Sequence, residues 1–153
     1  MAASSVAAFG GQHTRSGGRR QPAALVWEAG VMDDAGGQPF CYLTTTGRVS
    51  GRPHTIEIWF ALQGRTLYLL SGGGDRSDWV RNLRRDPAVT VRLGRRDAAE
   101  LPGRARMVEA GTDEDELARR LVAGKYQPTY GGDLSGWRRS ALPVAVDLAS
   151  NGR

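Results

Sequence analysis

Alternate positions of residues 54–62, HTIEIWFAL, carry two different sets of side chains. From residue 56 onward, one set is wholly apolar and comprises Ile56, Ile58, Phe60 and Leu62. A strand turns successive residues to opposite faces, so this pattern predicts one β-strand with one face in a core. Five further segments rich in β-branched, aromatic or alternating residues predict strands, namely FCYLTTT (40–46), TLYLLS (66–71), AVTVRL (88–93), PGRARMVEA (102–110) and LPVAVDLA (142–149).

Two segments show helical spacing instead. Residues 77–86, SDWVRNLRRD, place Ser77 at the N-cap position, and Pro87 ends the helix. Residues 112–126, TDEDELARRLVAGKY, begin with Thr112 and Asp115 in the spacing of a capping box, and their buried stripe is expected to be Leu117, Leu121 and Val122. The polar residues that follow, up to the last strand, are predicted to form a loop. Six strands joined by short turns, with few helices, predict a mainly β fold, a small antiparallel barrel.

The first 24 residues lack any such pattern and predict a disordered arm. Residues 25–150 form one predicted domain, and 151–153 a tail. The net charge is +5, and Arg15, Arg19 and Arg20 supply +3 of it within the acid-free arm, so the predicted domain is nearly balanced. Nucleic-acid binding is therefore not expected. The arm could still bring the protein to an anionic membrane surface.

The chemistry-bearing side chains are few. The chain has one cysteine, Cys41 within an apolar run, which predicts a buried structural thiol, and two histidines. Zinc-ligand spacing, a G-x-S-x-G elbow and nucleotide-binding glycine motifs are all missing from the sequence. No run approaches the roughly 18 apolar residues of a membrane span, and no secretory signal is evident, so a cytoplasmic protein is expected. If the protein is an enzyme, a cofactor is expected to carry the difficult step.

The turn in TTTGRVSGRPH (44–54) concentrates positive charge without a carboxylate. Its glycines allow backbone N–H groups to approach an anion, and Arg48 and Arg52 can donate charge-assisted hydrogen bonds. A solvated hairpin tip is the alternative interpretation. The turn therefore predicts a candidate phosphate site.

The order of several motifs resembles the deazaflavin-dependent nitroreductase family. These motifs are TTTGRVSGRPH, IWF, LYLLSGGGDRSDWVRNLRRDPAVTVRL, KYQ and ALPVAV, between about Phe40 and Leu148. The resemblance implies a six-stranded split β-barrel with two or three short peripheral helices, related to pyridoxamine-phosphate oxidases and flavin reductases. It also implies coenzyme F-420, with FMN as the alternative cofactor.

The resemblance also implies site residues. Its glycine-flanked turn holds the phosphate, the following strand and the end of the third strand line the deazaflavin, and the start of the first helix closes the pocket. The residues expected to bind the cofactor are Arg48, Val49, Ser50, Arg52, His54, Thr55, Ile56, Glu57, Ile58, Leu69, Leu70, Ser71, Gly72, Asp78, Trp79, Val80, Arg81 and Asn82. Val49 and His54 stand where members often have lysine and arginine, and Arg52 and Arg76 are expected to compensate.

Tyr130 and Ser71 are the expected catalytic residues. Ser71 is equally typical of an ordinary strand-end hydroxyl, and Glu57 is more typical of a solvent-facing or interface residue than of an acid catalyst. The implied function is hydride transfer from reduced F-420 to an electron-poor acceptor such as a quinone, a nitro compound or an activated alkene. The alternatives are an FMN-dependent flavin reductase or oxidase and a non-catalytic carrier of a cofactor or lipid. The protein is expected to be a monomer or homodimer.

Overall fold

The computed structural model describes residues 35–149, in which seven strands form one antiparallel sheet. The strands are β1 (Cys41–Thr46), β2 (Pro53–Ile58), β3 (Ala61–Gln63), β4 (Thr66–Ser71), β5 (Ala88–Leu93), β6 (Leu101–Met107) and β7 (Leu142–Leu148). The helices are α1 (Asp78–Arg85), α2 (Asp113–Tyr130) and α3 (Ser135–Ser140), with a single 3-10 turn at Gly74–Arg76 before α1.

The sheet curls back on itself. Its strand order is β2-β1-β5-β6-β7-β4-β3, so β2 and β3 form its two edges. Only Trp59 and Phe60 separate these edge strands in the chain. Three Cα–Cα steps span at most about 11 Å, so the two edges must come together at this point. The result is a β-barrel whose edge strands do not pair, a split β-barrel.

The barrel interior holds the main core. It contains the inward-facing aliphatic residues of every strand, among them Leu43, Ile58, Leu69, Val91, Leu101 and Val144. Trp79, Val80 and Leu83 from α1 join the same core. Helix α1 therefore closes the barrel at the end where β1 and β4 both finish.

A second core lies on the outside of the barrel, where α2 and α3 cover β3, β4 and β7. Trp59, Tyr68 and Leu70 pack there against Val122 and Tyr126 of α2 and against Trp137 of α3. In the predicted stripe of α2, Val122 is buried, whereas Leu117 and Leu121 are only partly buried.

The prediction of six strands was wrong by one, because the segment 54–62 forms two strands. Its alternation does persist, with Ile58 and Phe60 in the barrel interior and Trp59 and Ala61 in the outer core. The ladder breaks at Phe60, whose N–H donates to the Tyr126 hydroxyl at 3.1 Å and whose carbonyl accepts from Lys125 Nζ at 3.0 Å. A helix thus takes the place of a neighbouring strand.

The prediction of a loop after residue 126 was also wrong. Helix α2 continues through Pro128 to Tyr130 and ends at Gly131, which has φ 87°. A proline near the C-terminal end of a helix removes only one hydrogen bond, and glycine favours the left-handed conformation that ends the helix. Helix α3 then occupies Ser135–Ser140. The predicted arm (1–24) and tail (151–153) lie outside the described residues.

Candidate functional site

A gap runs along one side of the barrel. Strand β3 pairs with Thr66, Leu67 and Tyr68 of β4 only, so Leu69–Ser71 has a strand partner, β7, on one side alone. Strand β2 likewise pairs only with β1. We call the space between β2 and residues 69–77 the barrel gap. It contains the two unpaired strand edges that a planar ligand could meet.

The β1–β2 turn and α1 meet at one end of the barrel gap. Arg48 Nη2 donates to Asp78 Oδ1 at 3.2 Å, and Arg48 Nη1 donates to Asn82 Oδ1 at 2.9 Å. The Arg48 backbone N–H also donates to Asn82 Oδ1, at 3.1 Å. The arginine of the turn is therefore fixed to the start of the helix. The expectation that no carboxylate lies near it was wrong, because the partner is 30 residues away in the chain.

Asn82 holds this junction together. It is only 4 % exposed, and its Nδ2 donates to Thr45 Oγ1 at 3.2 Å. One buried amide thus joins the end of β1, the turn and α1. A buried amide with all these partners is rigid, because breaking any of them leaves a desolvated polar group.

The rest of the turn presents polar groups to solvent. Gly51 N–H donates to the Gly47 carbonyl, and Arg52 N–H donates to Ser50 Oγ. Ser50 Oγ also lies 3.3 Å from His54 Nε2, and a Cβ on Gly47 would come within 2.5 Å of that nitrogen. Val49 is 91 % exposed. Within residues 35–149, the backbone N–H groups of Val49 and Ser50 have no hydrogen-bond partner, so they remain free for a ligand.

Strand β2 offers two different faces beside the gap. Ile56 and Ile58 pack towards the barrel interior. Thr55 bonds Thr44 on the outer face, and Glu57 stands there opposite Tyr42. Burial, and next the Glu57 carboxylate, raise the pKa of Tyr42 to about 12. Glu57 Oε2 is buried without a hydrogen-bond partner in the described part of the chain. Glu57 therefore faces away from the barrel interior.

The end of β4 forms the other side of the gap. Leu69 lies in the barrel interior and Leu70 in the outer core. Ser71 is fully buried, and its hydroxyl donates to the Gly74 carbonyl at 2.9 Å and lies 2.7 Å from Ser77 Oγ. Ser77 fills the N-cap position of α1 without capping the helix by its side chain. The Ser71 hydroxyl thus organises residues 71–77, Gly72 included, and its predicted catalytic role stays a prediction.

The predicted residues of α1 divide by face. Trp79 and Val80 are buried against the barrel interior, Asn82 is buried at the turn, and Asp78 and Arg81 are exposed. The structure therefore brings Arg48, Asp78 and Asn82 into direct contact and connects them through Ser77 to Ser71. Trp79 forms part of the barrel's end wall.

Tyr130 is the last residue of α2 and contacts Trp59, the residue that follows β2. Its ring packs edge-on against Trp59, with centroids 5.7 Å apart, and 37 % of the residue is exposed. Trp59 also stacks on Tyr126 at 4.1 Å and meets Trp137 edge-on. Since β2 runs from the Arg48 turn to Trp59, about 17–20 Å separates the two ends. The turn and Tyr130 could contact only different parts of a long ligand.

Two residues of α2 beside Phe60, Lys125 and Tyr126, were not predicted as site residues. Lys125 Nζ donates to the carbonyls of Gln38 (2.7 Å) and Phe60 (3.0 Å) and lies 3.7 Å from the centre of the Phe60 ring. Desolvation lowers the pKa of Lys125 to about 8. The Tyr126 hydroxyl donates to the Pro39 carbonyl. Two signals were available in the sequence, since Lys125 is the only lysine among 21 basic residues and KYQ (125–127) is one of the motifs of the family resemblance.

Two features were looked for in the described residues, a metal-binding cluster and a membrane-spanning helix. Among the described residues, no cluster of three His, Cys, Asp or Glu side chains could hold a metal ion. None of the helices within residues 35–149 has the length and apolar character of a membrane span. Cys41 is fully buried, as predicted, and burial raises the pKa of its thiol well above the ordinary value.

Several solved structures share this architecture and identify the fold. A possible pyridoxamine 5'-phosphate oxidase from Listeria innocua is 21 % identical, with a TM-score of 0.58, over 80 % of this chain and 94 % of that one. An F420-H2 dependent reductase is 24 % identical, with a TM-score of 0.54, over 72 % and 94 %. The haem storage protein HutZ from Vibrio cholerae is 16 % identical, with a TM-score of 0.60, over 82 % and 92 %. The fold is thus the split β-barrel, which by itself does not specify the cofactor.

The family is specified by the sequence. Residues 20–149 match the family described as F420H(2)-dependent quinone reductase, and the chain belongs to that family. It is therefore an oxidoreductase that uses the deazaflavin coenzyme F-420, as the resemblance implied. The residues present fit such a cofactor, because the Arg48 turn offers an arginine and two free N–H groups for a phosphate. The two unpaired strand edges of the gap suit a planar ring.

Proposed function

We propose that this protein reduces electron-poor organic acceptors with reduced F-420 bound along the barrel gap. Quinones are the first candidates, followed by nitro compounds and activated alkenes. The observation that carries the proposal is that β2, which has one unpaired edge, separates the arginine-bearing turn from the partly exposed Tyr130 beside Trp59 by about 17–20 Å. Such a site can hold a long cofactor by its phosphate and leave its far end open to an acceptor.

Each part of the chain has a defined task in this proposal. Arg48 and the free N–H groups of Val49 and Ser50 bind the phosphate, and Arg52 adds positive charge nearby. The unpaired edges of β2 and Leu69–Ser71 hold the ring, with Trp79 in the wall at the α1 end. When bound, the reduced deazaflavin supplies the hydride.

The acceptor needs a proton as well as a hydride. The Tyr130 hydroxyl is the proposed donor, because the residue is partly exposed and its ring is fixed against Trp59. The buried Ser71 hydroxyl is proposed to act through residues 71–77, by keeping them against the ring.

The function can be tested with purified full-length protein. Reduced F-420 is mixed with the protein and with a simple quinone, a nitroaromatic compound or an activated enone, and oxidation of the deazaflavin is followed by its absorbance. We expect oxidation that requires both protein and acceptor. A protein that binds F-420 without turnover of any acceptor would be a carrier, and one that binds FMN and ignores F-420 would be a flavin enzyme. Either result contradicts the proposal.

Assembly and location remain proposals beside this function. We propose that the protein is a monomer or a homodimer. We also propose that it is cytoplasmic and contacts the membrane surface through the basic arm. Gel filtration with and without anionic vesicles would test both.

A further inference from the structure

Arg48 already has an anion beside it. Its Nη2 meets the Asp78 carboxylate at 3.2 Å, and its Nη1 meets the Asn82 amide oxygen at 2.9 Å. A phosphate that accepts two parallel hydrogen bonds from a guanidinium uses two of its nitrogens and is attracted by its positive charge. The carboxylate therefore stands where the proposed ligand would compete for the same arginine.

The two partners of Arg48 differ in how firmly they are held. Asn82 is buried, neutral and bonded to Thr45, so it keeps its place. The Asp78 side chain is 84 % exposed, and its contact with Arg48, whose side chain is 30 % exposed, is a surface ion pair. Such pairs are weak, and both of their members are readily solvated. Arg48 thus has one permanent partner and one that can leave.

From this asymmetry we infer that Asp78 is a displaceable counter-ion of the anion site. Without ligand it keeps Arg48 directed into the turn and neutralises the guanidinium. The phosphate group of the cofactor then displaces it, and the Asp78 side chain turns to solvent. This inference rests on the proposed function, since it takes Arg48 as the phosphate ligand.

Displacement has a consequence for which anions bind. An incoming anion must replace an existing ion pair and tolerate the nearby negative charge. A small monovalent anion gains little from one arginine under those conditions. A phosphate ester with further contacts along the gap gains more. Asp78 therefore sets the selectivity of the site. It weakens the binding of every anion, and only an anion with further contacts to the protein binds despite it.

The effect of Asp78→Asn on anion affinity distinguishes a displaceable counter-ion from a residue that only positions Arg48. If Asp78 only positioned Arg48, its removal would loosen the arginine and weaken anion binding. If it is a counter-ion that must be displaced, Asp78→Asn strengthens anion binding, because the competing charge and its repulsion are both gone. Asn keeps the size of the side chain, and the exposed position at the start of α1 tolerates the change.

The probes are inorganic phosphate and F-420, titrated into the wild type and Asp78→Asn. We expect roughly three- to tenfold tighter binding of both by Asp78→Asn at low salt, with the ratio approaching one at about 0.5 M KCl. Asp75→Asn is the matched control. Asp75 lies in the preceding 3-10 turn, is also exposed, and has Arg84 as its ion-pair partner at 3.9 Å. We expect its affinity for phosphate to match the wild type.

Arg48→Ala distinguishes the possible failures. If Arg48→Ala loses phosphate affinity while Asp78→Asn binds no more tightly than the wild type, this inference is overturned and the proposed function stands. Equal gains in Asp78→Asn and Asp75→Asn also overturn it, because they would reflect only the loss of a general negative charge. If Arg48→Ala binds phosphate and F-420 as well as the wild type, the anion site is misplaced, and the inference fails together with that part of the proposed function.

Discussion

Arg48 has both a structural and a ligand-binding part to play, and the two can be separated by substitution. Its backbone N–H and its side chain share one acceptor, Asn82 Oδ1. Removing the side chain leaves the backbone bond, so Asn82 keeps a partner at that oxygen. A solvated side chain at the tip of the β1–β2 hairpin would contribute almost nothing to stability. The contacts instead indicate a modest loss, about 0.5–1.5 kcal/mol for one hydrogen bond.

Arg48→Ala should therefore weaken F-420 binding much more than it weakens the fold. A charge-assisted bond contributes about 1.5–3 kcal/mol, which corresponds to a roughly ten- to a hundredfold loss of affinity. Fluorescence titration of F-420 and urea denaturation measure the two effects. Arg52→Ala is the comparison and should cost less affinity, because the Arg52 side chain makes no hydrogen bond within residues 35–149 and adds only nearby positive charge. Normal F-420 affinity of Arg48→Ala at low salt would remove the turn from the site.

Tyr130→Phe should affect turnover more than cofactor affinity. The ring's contact with Trp59 is retained, and only the hydroxyl is lost. Loss of a general acid commonly lowers the rate by about a hundredfold or more, whereas the proposed phosphate site at the Arg48 turn lies about 17–20 Å from Trp59. Steady-state kinetics with a quinone, together with F-420 titration, separate kcat from binding. Ser71→Ala is the comparison, and an unchanged kcat for Tyr130→Phe would show that the hydroxyl donates no proton.

At the scale of elements, α2 replaces a strand at the point where β2 and β3 part. Lys125 donates to two carbonyls, those of Gln38 and Phe60, and the Phe60 N–H donates to Tyr126. The compact ammonium of lysine, with three donors, suits a partly buried site where two carbonyls and the face of the Phe60 ring converge.

The titration of Lys125 should appear in the stability of the protein. Desolvation lowers its pKa to about 8 in the folded state, and the nearby Cys41 has only a smaller, opposite effect. The unfolded chain keeps that proton to about pH 10.4, so unfolding takes up a proton between these values. Lys125 by itself would therefore make the free energy of unfolding rise as the pH goes from about 8 towards 10. The buried Cys41 thiol, whose pKa is raised in the folded state, opposes this rise above its ordinary pKa of about 8.5, so the Lys125 contribution is measured as a difference from a variant without it.

Lys125→Met should lack this rise, because it has no proton to exchange. Urea denaturation of both proteins at several pH values measures the difference in slope. Above about pH 10 the buried tyrosines act in the opposite direction, since burial raises their pKa values in the folded state, so the comparison ends there. Parallel pH profiles for the two proteins would mean that Lys125 titrates normally.

At the scale of the whole molecule, the strand pattern, α1 and the buried thiol followed from the sequence. The division of residues 54–62 into β2 and β3 could not be predicted. The side chains keep alternating through the bend, and only the hydrogen-bond partners of the Phe60 backbone change. The Arg48–Asn82 contact joins residues 34 positions apart, which no local pattern can reveal. Helix α2 continues four residues past its predicted end at Tyr126, through Pro128 to Tyr130.

Deleting residues 1–24 should leave F-420 binding unchanged. The family match begins at residue 20, and every residue of the proposed site lies within 48–130. Titration of F-420 into the shortened and full-length proteins tests this directly. Sedimentation with anionic vesicles is the companion measurement, in which we expect the shortened protein to lose binding, because each arginine near such a surface contributes about 1 kcal/mol. A large loss of F-420 affinity would instead extend the site into the arm.

Strand β7 lies inside the sheet, between β6 and β4, although it is the last strand of the described chain. During synthesis on a ribosome, the hairpins formed earlier would therefore remain two separate pieces, with β4 and β6 each exposing an unpaired edge. Only the emergence of residues 142–148 could join them into one barrel. Productive folding must accordingly wait until residues 142–148 have emerged, and a product terminated before them would present two open edges to other nascent chains.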